Sequence, residues 1–185
     1  MIIGFRKLKV TELNRLSVDA YKASKKMPVV VVLDHVRSAH NVGSVFRTVD
    51  AFRMEAVYLC GITAKPPDAE IHKTALGAED TVDWRYFKDT LEAVQTLKSQ
   101  GYIICVLEQT EGSASLENFT PDKNQKYAVI VGHEVQGVQQ QVIDQCDICI
   151  EIPQFGAKHS LNVSVATGIV LWDFFRKSGQ AAYSF

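Results

Sequence analysis

The 185-residue chain is predicted to form one α/β domain, a mainly parallel sheet flanked by helices. Three observations predict it. Val29, Val30, Val31, Val32 and Leu33 are apolar without alternation, the pattern of a strand covered on both faces. Further short apolar or alternating runs occupy residues 56–60, 82–87, 103–107, 127–131 and 148–152. Segments with helical spacing separate several of these runs, as in βαβ units.

Taken in order, residues 8–26 read as a helix with Leu8, Leu13, Leu16 and Tyr21 facing inward. Pro28 closes it, because the residue before a proline avoids the helical region. After the first strand and a polar loop from His35 to His40, Val42, Val45, Phe46, Val49 and Phe52 fall on one helical face. Asn41 is expected to cap that helix. Leu91, Val94 and Leu97 mark a shorter helix that stops before Gly101. Residues 161–176 form a long, mostly apolar helix with Ser160 as its expected cap. Residues 1–27 are taken as a basic helical arm and residues 28–185 as the domain proper.

Hydrophobic residues make up 46% and charged residues 22%, a globular balance. The apolar runs are far shorter than the roughly 20 residues that span a bilayer. The basic N-terminal residues are not followed by an apolar stretch, so a cytoplasmic protein is expected. The net charge of −1 conceals a division. Seven basic residues (Arg6, Lys7, Lys9, Arg15, Lys22, Lys25, Lys26) and two acidic ones (Glu12, Asp19) give residues 1–27 a charge of +5, leaving −6 elsewhere. Such an arm could follow a phosphate backbone or simply be a solvated helix face. Cys60 and Cys105 lie in apolar runs and read as core residues. Cys146 and Cys149 form one C-x-x-C without a second pair, so no metal is expected.

Three segments could carry chemistry. In the first, Asn41 to Arg47, a helix start, Gly43 and an arginine make a plausible anion site. In the second, Gly132 to Gly137, a buried strand runs into two glycines that flank Glu134. In the third, Ile152 to Ala166, a strand ends at Pro153 and Asn162 and Ser164 stand in an otherwise apolar first turn, where they need partners. Each alone also fits a capped helix, a glycine turn or a solvated arginine. No G-x-G-x-x-G, P-loop or G-x-S-x-G is present.

Together, in this order, the three segments resemble the TrmH (SpoU) family of RNA ribose methyltransferases in the SPOUT superfamily. The resemblance covers about residues 29–176. The I-P…S-L-N-V-S-x-A of the third segment is its most specific part. The second departs from the usual G-P-E-G-x-G, with His133 for the proline and Val135 for the middle glycine.

The resemblance implies a C-terminal trefoil knot, S-adenosyl-L-methionine as cofactor, a homodimer, and methyl transfer to a ribose 2′-hydroxyl. It implies cofactor contacts from Leu107, Glu108, Gly132, Ile152, Ser160 and Leu161. It implies a catalytic group of Arg47, Asn41, Glu134, Ser160 and Asn162. Arg47 would grip the phosphate beside the target ribose and stabilise the developing alkoxide, oriented by Glu134, Asn41 and Asn162. Arg6, Lys7, Lys9, Lys25, Lys26 and Arg37 would hold RNA, with tRNA the favoured substrate and ribosomal RNA the alternative. A non-catalytic RNA-binding protein of the same fold is the rival reading, and an unrelated nucleotide-binding α/β enzyme is a second.

Overall fold

The computed structural model describes residues 4–178; the first and last few residues of the arm and domain assigned above lie outside them. Seven strands form one sheet: β1 (Met27–Asp34), β2 (Met54–Cys60), β3 (Asp83–Phe87), β4 (Tyr102–Leu107), β5 (Ala114–Ser115), β6 (Lys126–Val131) and β7 (Ile148–Glu151). Their order is β3-β2-β1-β6-β4-β7-β5, and every pairing is parallel. The predicted parallel α/β sheet is therefore the observed one. The order also suits the C-terminal knot implied by the resemblance, since the last strand, β7, lies between two earlier ones, β4 and β5.

The unbroken apolar run of β1 has a simple cause. Val29, Val31 and Leu33 enter one core, while Val30 and Val32 enter a second on the opposite face. On the first face lie α2 (Ala39–Ala51) and α7 (Val163–Lys177), which supply Val42, Phe46, Val170 and Phe174. On the second lie α5 (Thr90–Ser99) and α6 (Gln140–Ile143), through Val94, Leu97 and Val142. Short helices α3 (Ala69–Ala75) and α4 (Ala78–Thr81), and the two-residue β5, had too little periodicity to be predicted. α3 packs closely on α2, because a Cβ at Gly43 would lie 2.2 Å from Thr74 Oγ1.

Three expectations are corrected. Residues 8–26 are not one helix: a 3-10 turn (Val10–Glu12) and the six-residue α1 (Val18–Ala23) are the only regular parts. Leu8, Leu13 and Leu16 are exposed and only Tyr21 is buried, so no apolar stripe is available to dock a continuous helix. Ser38, not Asn41, caps α2, its Oγ accepting from the Asn41 amide at 3.3 Å. Asn162, not Ser160, caps α7. Phe174 is core, whereas Trp172 forms a half-exposed aromatic cluster with Phe52 and Phe175. No helix among the described residues is long and apolar enough to cross a membrane.

Candidate active site

Parallel strands deliver their carboxyl ends to one edge, where ligands of α/β sheets bind. Here the pairs Leu33–Val131, Val106–Ile130 and Leu107–Ile150 bring β1, β6, β4 and β7 into line. Directly beyond them opens a cavity of about 540 Å³. Leu107, Glu108, Gly132, Ile152, Ser160 and Leu161, the six residues expected to touch a cofactor, all line it. So do Glu134 and Asn162. Gln109, Gln154, His159 and Ala166 line it too. Gln154, His159 and Ala166 belong to the third segment but were given no cofactor contact, and Gln109 lies in a loop without periodic or motif signal.

The loop after β6 forms one wall. Backbone hydrogen bonds from His133 N to Gly137 O (3.1 Å) and from Gly137 N to His133 O (2.9 Å) close it. The closure is tight: a Cβ at Gly132 would fall 2.2 Å from the carbonyl carbon of Gly137. Gly137 has φ +70° and packs against the Glu108 carboxylate, whose Oε2 accepts from Val138 N at 3.0 Å. One residue further, Gln139 donates its backbone N–H (2.9 Å) and its Nε2 (2.8 Å) to the fully buried Asp34 at the end of β1. Thr90 Oγ1 also donates to Asp34, at 2.5 Å. Glu108 and Asp34 thus pin the exit of the loop to β4 and β1. The sequence marked Glu108 as a cofactor contact, not as a brace of this loop, and Asp34 had no role there.

Glu134 turns from this loop towards the first segment. Its carboxylate accepts from Arg37 N (3.0 Å), Ser38 N (3.0 Å) and Asn41 Nδ2 (2.9 Å). Asn41 Oδ1 in turn accepts from Asn162 Nδ2 at 3.1 Å. Asn162 Oδ1 accepts from the backbone N–H of Ser164 at 2.9 Å and from its hydroxyl at 2.7 Å. The three segments singled out in the sequence therefore meet in one hydrogen-bonded chain at the cavity rim. Burial alone would raise the Glu134 pKa, but the bonds from Arg37, Ser38 and Asn41 outweigh it and hold the group below its ordinary 4.5. A carboxylate so stabilised is a weak proton acceptor; its geometry is that of a brace.

The pattern of the SpoU rRNA Methylase family matches residues 28–172, most of the chain. The chain belongs to this family. Among relatives, it is 32% identical over 166 residues to the 23S rRNA (guanosine-2'-O-)-methyltransferase RlmB of Vibrio vulnificus, covering 90% of this chain and 66% of that protein. It is likewise 32% identical over 173 residues to the protein of the same name from Nitrosomonas europaea, covering 92% and 65%. The chain thus spans about two thirds, 65–66%, of the length of these relatives. Among solved structures, the A. aeolicus TrmH/SpoU tRNA modifying enzyme superposes with a TM-score of 0.75 at 27% identity, over 86% of this chain and 80% of that one.

Within the SpoU family frame, one assigned residue stands apart from the others. Arg47 does not line the cavity. It is exposed on α2, in a shallow groove with Ser44, Thr48, Phe52, Lys73, Thr74 and Gly168. It lies six helical steps beyond Asn41, an advance of about 9 Å and a rotation of about 240°, which carries it off the rim. Glu134 and Asn41 therefore orient one another and Asn162, not Arg47. Asn162 is exposed at the rim and its amide is satisfied by Asn41. Ser160 lines the cavity as an exposed loop residue.

Of the residues assigned to RNA, Lys7, Lys9, Lys25 and Arg37 are exposed. Arg6 is paired with Glu12 at 2.8 Å. Lys26 turns back over the Tyr21 ring and donates to the carbonyls of Tyr21 and Ser24, closing α1. Cys146 and Cys149 stand 3.4 Å apart with their sulfurs in hydrogen-bond contact; burial and then that contact push the Cys146 thiol up to about 12.

Proposed function

We propose that the chain transfers a methyl group from S-adenosyl-L-methionine to a ribose 2′-hydroxyl of RNA. The observation that carries this reading is the Glu134–Asn41–Asn162 chain, which joins three distant segments at the rim of one cavity. The donor set suits the cofactor. The cavity lies in the size range of small-molecule sites and is walled by Gly132–Gly137 backbone and by the carboxylates of Glu108, Glu134 and Glu151, a field that favours a cation such as a sulfonium. When bound, that group supplies the electrophilic methyl.

The chain's own contribution is positional. Gly132 and Gly137 let the wall close tightly on itself and on Glu108, Leu107 and Leu161 cover the apolar part of the ligand, and Asn41 and Asn162 present amides at the rim where a ribose would enter. Arg47, with Lys73 in the neighbouring groove, is suited to the RNA phosphates by its planar fork of donors. The exposed arm lysines, Lys7 and Lys9, extend the positive surface available to RNA. We place the activity in the cytoplasm. The likeness to the A. aeolicus tRNA modifying enzyme supports tRNA as the substrate. The names of the Vibrio and Nitrosomonas relatives favour ribosomal RNA as the second reading.

Incubation of the protein with methyl-labelled cofactor and total RNA should label one RNA class at a 2′-oxygen. Label in tRNA or rRNA separates the two substrate readings, and cofactor binding without any transfer would favour a non-catalytic binder. Arg47→Lys retains the charge but loses the fork. It is expected to weaken RNA binding and lower turnover about tenfold or more, with cofactor affinity unchanged, since Arg47 lies outside the cavity. Normal turnover in that variant would remove Arg47 from the site.

We further infer a homodimer. Val165, Ile169 and Trp172 are exposed at i, i+4 and i+7 along α7, and Phe52 and Phe175 extend this apolar stripe beside the Arg47 groove. A second copy seated there would withdraw the stripe from water. Ile169→Asp should then convert a dimer to a monomer in sedimentation. A wild-type protein that sediments as a monomer at micromolar concentration would end this inference.

A further inference from the structure

We propose that His133 is a positioning residue for the cofactor wall, its imidazole Nδ1 acting as a bare acceptor that shapes the Gly132–Gly137 loop. The proposal rests on reading the cavity as the methyl-donor site.

The two backbone bonds between His133 and Gly137 close a loop that is too short for internal regular structure. The amides of Val135 and Gln136 at its tip have no strand or helix partner among the backbone bonds of the described residues. Both point instead at one atom, with Val135 N 3.0 Å and Gln136 N 3.2 Å from His133 Nδ1. An imidazole nitrogen accepts from an N–H only through its lone pair, so Nδ1 carries no proton and the neutral ring holds its proton on Nε2. A side chain that accepts from the amides two and three residues ahead is the arrangement by which asparagine and serine fold short turns.

The consequence concerns this chain's departure from the G-P-E-G-x-G pattern. A proline could make neither the His133 N–H bond to Gly137 nor the ring contacts. A β-branched Val135 stands where the pattern has a flexible glycine, and the residue is 81% exposed. The loop therefore obtains its shape from hydrogen bonds to the imidazole. His133, Glu134 and Gly137 belong to the same wall, so a change in the tip displaces the cavity lining as well as the Glu134 brace.

The test uses the full chain with S-adenosyl-L-methionine as the probe. His133→Phe keeps a planar ring of similar size and removes the acceptor. His133→Asn restores an acceptor that reaches the same two amides. Calorimetry should show His133→Phe binding the cofactor about tenfold more weakly, as expected for two ordinary backbone hydrogen bonds, and His133→Asn within about threefold of wild type. Without any ligand, nitrogen NMR of the wild-type side chain should report the Nε2-protonated tautomer. Amide exchange at Val135 and Gln136 should be slowed in wild type and His133→Asn, and fast in His133→Phe. An Nδ1-protonated ring, equal cofactor affinity in wild type and His133→Phe, or failure of asparagine to rescue would each overturn the proposal. If wild type binds no cofactor while the tautomer and exchange patterns hold, the cofactor reading fails and the loop-shaping role of His133 stands.

Discussion

Gly132→Ala is expected to lose cofactor affinity by about 100-fold or more and global stability by about 1–3 kcal/mol. The added Cβ would lie 2.2 Å from Gly137 C, 2.3 Å from Val138 N and 2.4 Å from Gly137 O. All three are backbone atoms, so no side-chain rotation relieves the contact. The loop must open or β6 must retreat, and either movement shifts the wall formed by residues 132–137. Gly156→Ala is the matched control, because a Cβ there meets nothing within 4 Å. Its effect on stability should stay within about 0.5 kcal/mol. Calorimetric titration with the cofactor and denaturant unfolding measure the two effects. Gly132→Ala with wild-type affinity would show that the closed loop is not the binding wall.

The second large effect is expected from Glu134→Gln. This change preserves size but offers one oxygen where the carboxylate presents two. Arg37 N approaches Oε2, while Ser38 N and Asn41 Nδ2 approach Oε1. Whichever way the new amide is turned, its NH₂ faces a donor. The expected loss of stability at neutral pH is about 1–2 kcal/mol, reduced from that of a buried charged hydrogen bond because the group is partly solvated. Turnover should fall more, by about 10–100-fold, because Asn41 and its link to Asn162 lose their fixed position.

The pH dependence gives this prediction a sign. In the folded chain the Glu134 pKa is depressed below 4.5, so its contribution is fully present above the unfolded value. It is lost as pH falls through the folded value. The stability gap between wild type and Glu134→Gln should therefore be widest near neutrality and shrink below about pH 4.5. A gap that grows on acidification would mean that the carboxylate is not held by these donors.

How much of this was legible beforehand differs from element to element. The six longer strands were predicted to within two residues of their observed starts, because period and β-branching are local properties. The seventh, Ala114–Ser115, is two residues long and exists only through its register with β7. The arm failed as a helix because helical spacing does not form a helix unless its apolar face is buried, and Leu8, Leu13 and Leu16 remain exposed. The caps were each assigned to a neighbouring polar residue: Ser38 and Asn41 are both good caps, and only the backbone path decides which of them is at the helix start.

By itself, the sequence determined the alternation of strands and helices, the burial of β1 on both faces, and the set of loop residues that could reach a ligand. Those are consequences of chemistry within a window of a few residues. Only the tertiary structure decided which of those residues share a site. The parallel register carries residues about a hundred positions apart to one edge of the sheet, where Asn41 meets Glu134 and Asn162. The turn of α2 takes Arg47, six residues from Asn41, out of the cavity. Distances through space between side chains on different elements follow from packing and register, and no local pattern encodes them.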